Sequence, residues 1–345
     1  MNWKVNIKIA SLFIISITAA YFIGKYTTPK NKQQTSGSNT QTAQIQLSTG
    51  TFTNPLLTCI EQKQLDMREL KTFKSEVISY IEQATKNYPD LHVSYYFRDL
   101  NNGIWIGINE KELFTPASLM KVPVLMAVLK EAEQKPEMLG TKIQYLKSNF
   151  VGVDEESGFP KVDGTYYTVE EYLQHMIVHS DNAATITLVK FLGMDKIVKV
   201  EKDLNLAPDK NATSNTNFVS VHRYAAVFRI LYNAAYINKN MSEKALQLLT
   251  QTAYQDGIRA AVPAQFNVAH KYGERDIFDK HGNRTALQLH HFGIVYYTGK
   301  PYLIGVMTRG SDKAFKEKVI KDLATITFKA VEDQMKTVAK PLLTQ

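Results

Sequence analysis

Residues 91–110 read "LHVSYYFRDLNNGIWIGINE", two runs in which apolar and polar residues alternate, separated by Asn101-Asn102-Gly103. Alternation at period two is a strand signature, and an Asn-Gly step readily takes the positive φ of a tight hairpin. Upstream, Leu65–Tyr88 sets Leu70, Phe73, Val77, Ile78 and Ile81 three and four residues apart, which predicts an amphipathic helix. Downstream, helical spacing runs from Leu119 to about Leu249 and includes Val169–Val178, Ala183–Leu192 and Val221–Ala235. Strand alternation returns in "FNVAHKYGE" (266–274), "LHHFGIVYYTG" (289–299) and "YLIGVMTRG" (302–310), with a turn at Gly299-Lys300. A last amphipathic helix is predicted from Lys313 to about Met335. Hairpin-joined strands with the helices segregated into one block exclude a doubly wound parallel fold. The expectation is an α/β chain of the α+β type: a five-stranded antiparallel sheet flanked by helices, with an inserted all-α subdomain.

At 345 residues and 44% hydrophobic content, the chain is long enough for a substantial core. One cysteine, Cys59, excludes an intramolecular disulfide, so packing must supply the stability. The net charge of +8 favours residence near polyanions such as anionic lipid or cell wall. Basic clusters with interleaved aromatics do not occur, so nucleic acid is not an expected partner. The run "IASLFIISITAAYFIG" (9–24) is uncharged and lacks a polar stripe. It falls between a signal-peptide core and a full span of ~20 residues. Residues 1–25 are therefore expected to be a signal anchor or a cleaved signal peptide, with the anchor favoured. The polar stretch 26–55 cannot bury enough surface to offset its ordering entropy and is expected to be a flexible linker. The folded domain is expected at 56–345, outside the cytoplasm, tethered to the membrane or secreted, and monomeric.

Three short motifs carry chemistry. "TPASLMKVP" (115–123) holds Ser118 and, three residues on, Lys121; "HSDNAA" (179–184) holds Ser180, Asp181 and Asn182; "AHKYGE" (269–274) holds Lys271 and Gly273. Each has a bland reading: a chance S-x-x-K, an N-cap cluster, a solvated strand end. A serine hydroxyl needs a base within hydrogen-bond reach to become a nucleophile. Positions i and i+3 share a helix face, so Lys121 can stand beside Ser118. A lysine is a base only when neutral, which burial or a neighbouring cation such as Lys271 would favour. At a helix start, the N–H of Ser118 is also free to meet a developing oxyanion. Pro123 fits a helix interior poorly and implies a late helix start or a bend.

In this order and on these elements, the motifs resemble the S-x-x-K, S-D-N and K-T-G set of the class A β-lactamase-like family of penicillin-recognising serine hydrolases. The resemblance extends over roughly residues 56–339. It implies an acyl-enzyme formed through Ser118, with Lys121 and Ser180 as the other catalytic residues. Ser180 would relay a proton to the leaving nitrogen, and Asn182 would hold the substrate's amide side chain. Lys271, Tyr272 and Gly273 would line the carboxylate site, and Glu274 would give its backbone N–H to the oxyanion. Asp181 would order its loop.

The sequence departs from the family in two places. Tyr272 stands where the family carries threonine or serine, whose small hydroxyl meets the carboxylate. The class A enzymes also carry a loop glutamate that activates the deacylating water, yet no glutamate occurs between Glu201 and Glu243. Glu201 follows Ser180 too closely and reads as helix; Asp209 is the nearest acid after Asp203. The primary reading is a β-lactamase-type serine hydrolase with slow deacylation. The alternatives are a D-Ala-D-Ala peptidase or penicillin-binding protein acting on peptidoglycan peptide, and a non-catalytic penicillin sensor. No cofactor and no metal are expected: H-E-x-x-H is absent, and His290 and His291 alternate faces on a strand.

Overall fold

The structure, a computed structural model, describes residues 51–54, 67–150, 162–207 and 217–339. In chain order its elements are α1 (Met67–Asn87), β1 (His92–Asp99), β2 (Trp105–Ile108), β3 (Leu113–Phe114), α2 (Lys121–Ala132), β4 (Lys142–Gln144), β5 (Tyr166–Thr168), α3 (Val169–Val178), α4 (Asn182–Leu192) and α5 (Met194–Asp203). They continue with β6 (Val219–Ser220), α6 (Val221–Tyr232), α7 (Lys239–Thr250), α8 (Ile258–Ala261), β7 (Val268–Phe278), β8 (Arg284–Val295), β9 (Tyr302–Gly310) and α9 (Lys313–Ala339).

The predicted hairpin is present. Phe97 faces Ile106 across β1 and β2, Gly103 takes φ 78°, and the Asp99 carboxylate accepts the N–H groups of Asn101 and Asn102. Five antiparallel strands form one sheet in the order β2-β1-β9-β8-β7, so β7 is an edge. Because side chains alternate, the sheet serves two cores. Val93, Tyr95, Phe97 and Ile304 pack under α1 and α9, while Tyr96, Phe292, Ile294 and Leu303 pack against the helical block. β7 and β8 run further than their apolar cores suggested, to a turn at 279–283 held by the Asp279 carboxylate.

The start of α2 explains Pro123. Ala117–Met120 is a 3-10 turn and the α-helix begins only at Lys121, so Pro123 sits in the first turn, where N–H groups have no intrahelical partner. Residues 51–54, which composition places at the end of the linker, are bonded to the domain. The Glu243 carboxylate accepts the N–H groups of Thr51, Phe52 and Thr53, and Asn54 N–H donates to the Tyr232 carbonyl. The apolar run 9–24, the rest of the expected linker, Cys59 and Asp209 lie outside the described residues. Among the described residues no helix is long and apolar enough to cross a membrane.

Candidate active site

Four elements meet at one place. The 3-10 turn presents Ser118, the first turn of α2 presents Lys121, the α3–α4 junction presents Ser180 and Asn182, and β7 presents Lys271. The i,i+3 spacing places Lys121 Nζ 3.0 Å from Ser118 Oγ. The same nitrogen lies 2.5 Å from the Ser180 carbonyl oxygen, 2.7 Å from Asn182 Oδ1 and 3.2 Å from Ser180 Oγ. Lys271 Nζ is 2.9 Å from Ser180 Oγ on the other side. The two hydroxyls are part exposed, whereas Lys121 and Lys271 are buried. The two serine oxygens thus sit beside desolvated amines.

Donor counting bears on the state of Lys121. The Ser180 carbonyl and Asn182 Oδ1 can only accept, so they take two N–H bonds. The ammonium gives its third hydrogen to Ser118 Oγ, whereas the neutral amine would turn its lone pair to the Ser118 hydroxyl. Burial drives the Lys121 pKa down to about 8, against an upward pull from Asp181. Burial also drives Lys271 well below the usual lysine range, and the charge on Lys121 pushes it the same way.

The backbone around these groups is held in unusual shapes. Ala117, just before Ser118, has φ 51°, and Ser180 has φ 56°, both in the left-handed region that costs a non-glycine residue about 1–2 kcal/mol. The surroundings impose these shapes. Thr115 N–H donates to Gln288 Oε1, His290 Nε2 meets the Thr115 carbonyl at 2.9 Å, and the Tyr224 hydroxyl donates to the Leu119 carbonyl at 2.6 Å. Asp181 is fully buried and caps α4 by accepting the Ala184 N–H at 2.8 Å, which keeps its side chain in the loop.

Gly273 has a steric reason. A Cβ there would lie 2.7 Å from the Pro116 carbonyl oxygen and 3.1 Å from Leu119 N, so only glycine lets β7 lie against the Ser118 turn. The strand's phase follows from its bonds. The Asn267 carbonyl pairs with Tyr296 N–H on β8's side, whereas the His270 and Tyr272 carbonyls accept from Thr252 Oγ1 and Lys271 Nζ. Even-numbered residues therefore turn their peptide groups away from β8, and at period two so does Glu274 N–H. The Glu274 carboxylate is occupied elsewhere, pairing with Lys313 at 2.8 Å.

Tyr272 lies beside Lys271, between it and Tyr254. Its ring stacks on Tyr254 with centroids 4.1 Å apart, and Lys271 Nζ stands 4.5 Å from its centre. The Lys313 pKa is raised, first by its hydrogen bond to Glu274 and least by Tyr272. The phenol thus packs along the flank of β7 toward α9. Glu201 lies on α5, as its spacing predicted, half-buried with its pKa raised by burial.

The sequence reading missed the supports: Gln288, Asn217, Tyr224, His290, and a buried His270–His291 contact of 2.9 Å. Paired histidines in an otherwise apolar strand were the available signal. His290 and His291 do point to opposite faces, one to Thr115 and the other to His270.

A five-stranded antiparallel sheet flanked by helices is the fold shared by β-lactamases and PBP-A. The PBP-A structure superposes with a TM-score of 0.64 at 19% identity, covering 76% of this chain and 97% of that one. A β-lactamase from Chitinophaga pinensis gives 0.64 at 22% identity, covering 75% and 99%. β-Lactamase VEB-1 from Pseudomonas aeruginosa is 27% identical over 247 residues, 64% of this chain and 79% of that protein. The sequence profile of the Beta-lactamase enzyme family matches residues 76–331. The chain belongs to the Beta-lactamase enzyme family.

Proposed function

We propose that this chain is a class A-like serine hydrolase that opens β-lactam rings by acylating Ser118 and resolves the resulting ester slowly. The observation that carries this reading is Lys121 Nζ at 3.0 Å from Ser118 Oγ, with two acceptors that cannot donate, the Ser180 carbonyl and Asn182 Oδ1, at 2.5 and 2.7 Å. In acylation the Ser118 proton passes to the Lys121 lone pair and Oγ bonds to the lactam carbonyl carbon. The C–N bond then breaks, and the departing nitrogen takes a proton through the Ser180 hydroxyl, which both lysines contact. The N–H groups of Ser118 and Glu274 stabilise the oxyanion. Lys271 attracts the substrate carboxylate, with Tyr272 and Gly273 shaping that side of the pocket, and Asn182 holds the amide side chain.

Deacylation requires water to add to the ester and return the proton to Ser118 Oγ. No glutamate lies between Glu201 and Glu243 to activate that water. A variant of PBP-A solved as an acyl-enzyme complex with penicillin G is in keeping with a long-lived ester on this fold. The test is rapid mixing with a chromogenic cephalosporin: a stoichiometric burst followed by slow turnover is expected, and fast turnover without a burst contradicts the reading. The same missing glutamate favours a second reading, a D-Ala-D-Ala peptidase acting on peptidoglycan peptide. Comparing cleavage of a penicillin and of such a peptide separates the two. The apolar run 9–24 supports a location outside the cytoplasmic membrane in either case, which fractionation of cells expressing the full chain checks.

A further inference from the structure

Ser180 and Lys271 belong to different elements, the α3–α4 junction and the free edge of the sheet, yet their side chains meet at 2.9 Å. One short segment between α7 and α8 touches the backbone beside both. Ala253 N–H donates to the Val178 carbonyl at 2.9 Å, two residues before Ser180. Thr252 Oγ1 donates at 2.7 Å to the His270 carbonyl, the residue before Lys271. Tyr254 stacks on Tyr272, the residue after it. At the far end, Ile258 N–H meets His291 Nδ1 at 3.2 Å, and His291 Nε2 meets His270 Nδ1 at 2.9 Å. That order fixes the tautomers: His291 accepts at Nδ1, so its proton lies on Nε2 and is donated to His270. Burial keeps both rings neutral by pulling their pKa values down, His270 to about 3. Gly257, at φ 59°, belongs to the same device, since a Cβ would lie 2.6 Å from His291 Nδ1.

We propose that residues 252–258 form a strap that sets the distance between Ser180 and Lys271, with Thr252 as its main positioning residue and the His291–His270 pair as its anchor. On an edge strand the outward carbonyl of His270 has no neighbouring strand to bond, so the Thr252 hydroxyl occupies the place of one. Strap and cleft are thereby coupled: a shift of Thr252 moves Lys271 relative to Ser180, and Ala253 holds the other side still.

The test has two readouts, of which only the first rests on the Ser118 reading. In Thr252→Val the acylation rate constant with benzylpenicillin should fall about tenfold, and Thr252→Ser should restore it. In a crystal structure of Thr252→Val the separation of Ser180 Oγ and Lys271 Nζ should open beyond 3.5 Å, the limit of a hydrogen bond. The proposal is overturned if that separation stays at 2.9 Å, if the rate is unchanged, or if Thr252→Ser behaves as Thr252→Val. If the wild-type chain is never acylated, the Ser118 reading fails and the crystallographic distance alone decides the strap. Should Thr252→Val not fold, His291→Gln loosens the far end and carries the same two readouts.

Discussion

Two halves of the cleft each bring a buried lysine to Ser180, and they are built differently. Lys121 comes from the helical block, one turn beyond Ser118, with two acceptors that cannot donate and the buried Asp181 carboxylate close enough to favour its charge. Lys271 comes from the sheet edge. Its contacts are one hydroxyl, its neighbour's carbonyl and an aromatic ring, and among the described residues no carboxylate pairs with it. An amine poised between states suits proton transfer; an amine buried without an anion suits capture of one. On the proposed reading, two chemically identical side chains take different tasks from their surroundings.

Removing each lysine breaks the comparison most directly. Lys121→Met deletes the base and should lower the acylation rate by about 10²–10⁴-fold, measured by stopped-flow with benzylpenicillin. An equal loss in binding and rate would contradict the base assignment. Gly273→Ala keeps both lysines but forces β7 away from the Pro116 carbonyl, and should cost about 10²-fold in acylation with the fold retained by circular dichroism. Lys271→Met removes the anion partner and should weaken noncovalent binding of the penicillin about 10–100-fold, the worth of a hydrogen bond to a charged group. A loss confined to the rate constant would give Lys271 the role argued for Lys121.

Acidity sharpens the same contrast. With a Lys121 pKa of about 8, the acylation rate should rise with pH through about 8 and level off above it. At pH 7 about a tenth of the molecules then hold the neutral amine. The stability sign follows from linkage. Between pH 8 and the ordinary lysine value of 10.5, the unfolded chain binds a proton on this side chain that the folded chain does not. Stability contributed by Lys121 therefore rises with pH across that window, and denaturant titrations of wild type and Lys121→Met should diverge there. The smallest effect expected is Ala117→Gly. Relief of the left-handed φ, offset by the unfolded freedom of glycine, should change stability by no more than about 1 kcal/mol in thermal unfolding.

The two halves also differed in how well the sequence announced them. Ser118 and Lys121 share a turn, so their contact is local and follows from helical spacing; the Thr168–Glu171 capping box opening α3 is equally local. The hairpin at 101–103 was legible because Asn-Gly chemistry is confined to a few residues. The edge of β7 was not. Its supports, Thr252 and His291, reach it across 18 and 21 residues, and side-chain periodicity carries no information about such pairings. The outer ends of β7 and β8 were missed because residues such as Arg275 and Asp276 are solvated there and show no apolar alternation. Tyr272 was legible as a departure, but its stack on Tyr254 depends on a partner 18 positions away.

The atom proposed to carry the acyl group is Ser118 Oγ. Intact-protein mass spectrometry after brief exposure to benzylpenicillin, followed over time, tests it most directly. The account predicts that the wild-type chain gains one penicillin mass on the peptide containing Ser118 and loses it slowly, and that Ser118→Ala gains none. An unmodified wild-type chain, or an adduct formed equally well by Ser118→Ala, would contradict it.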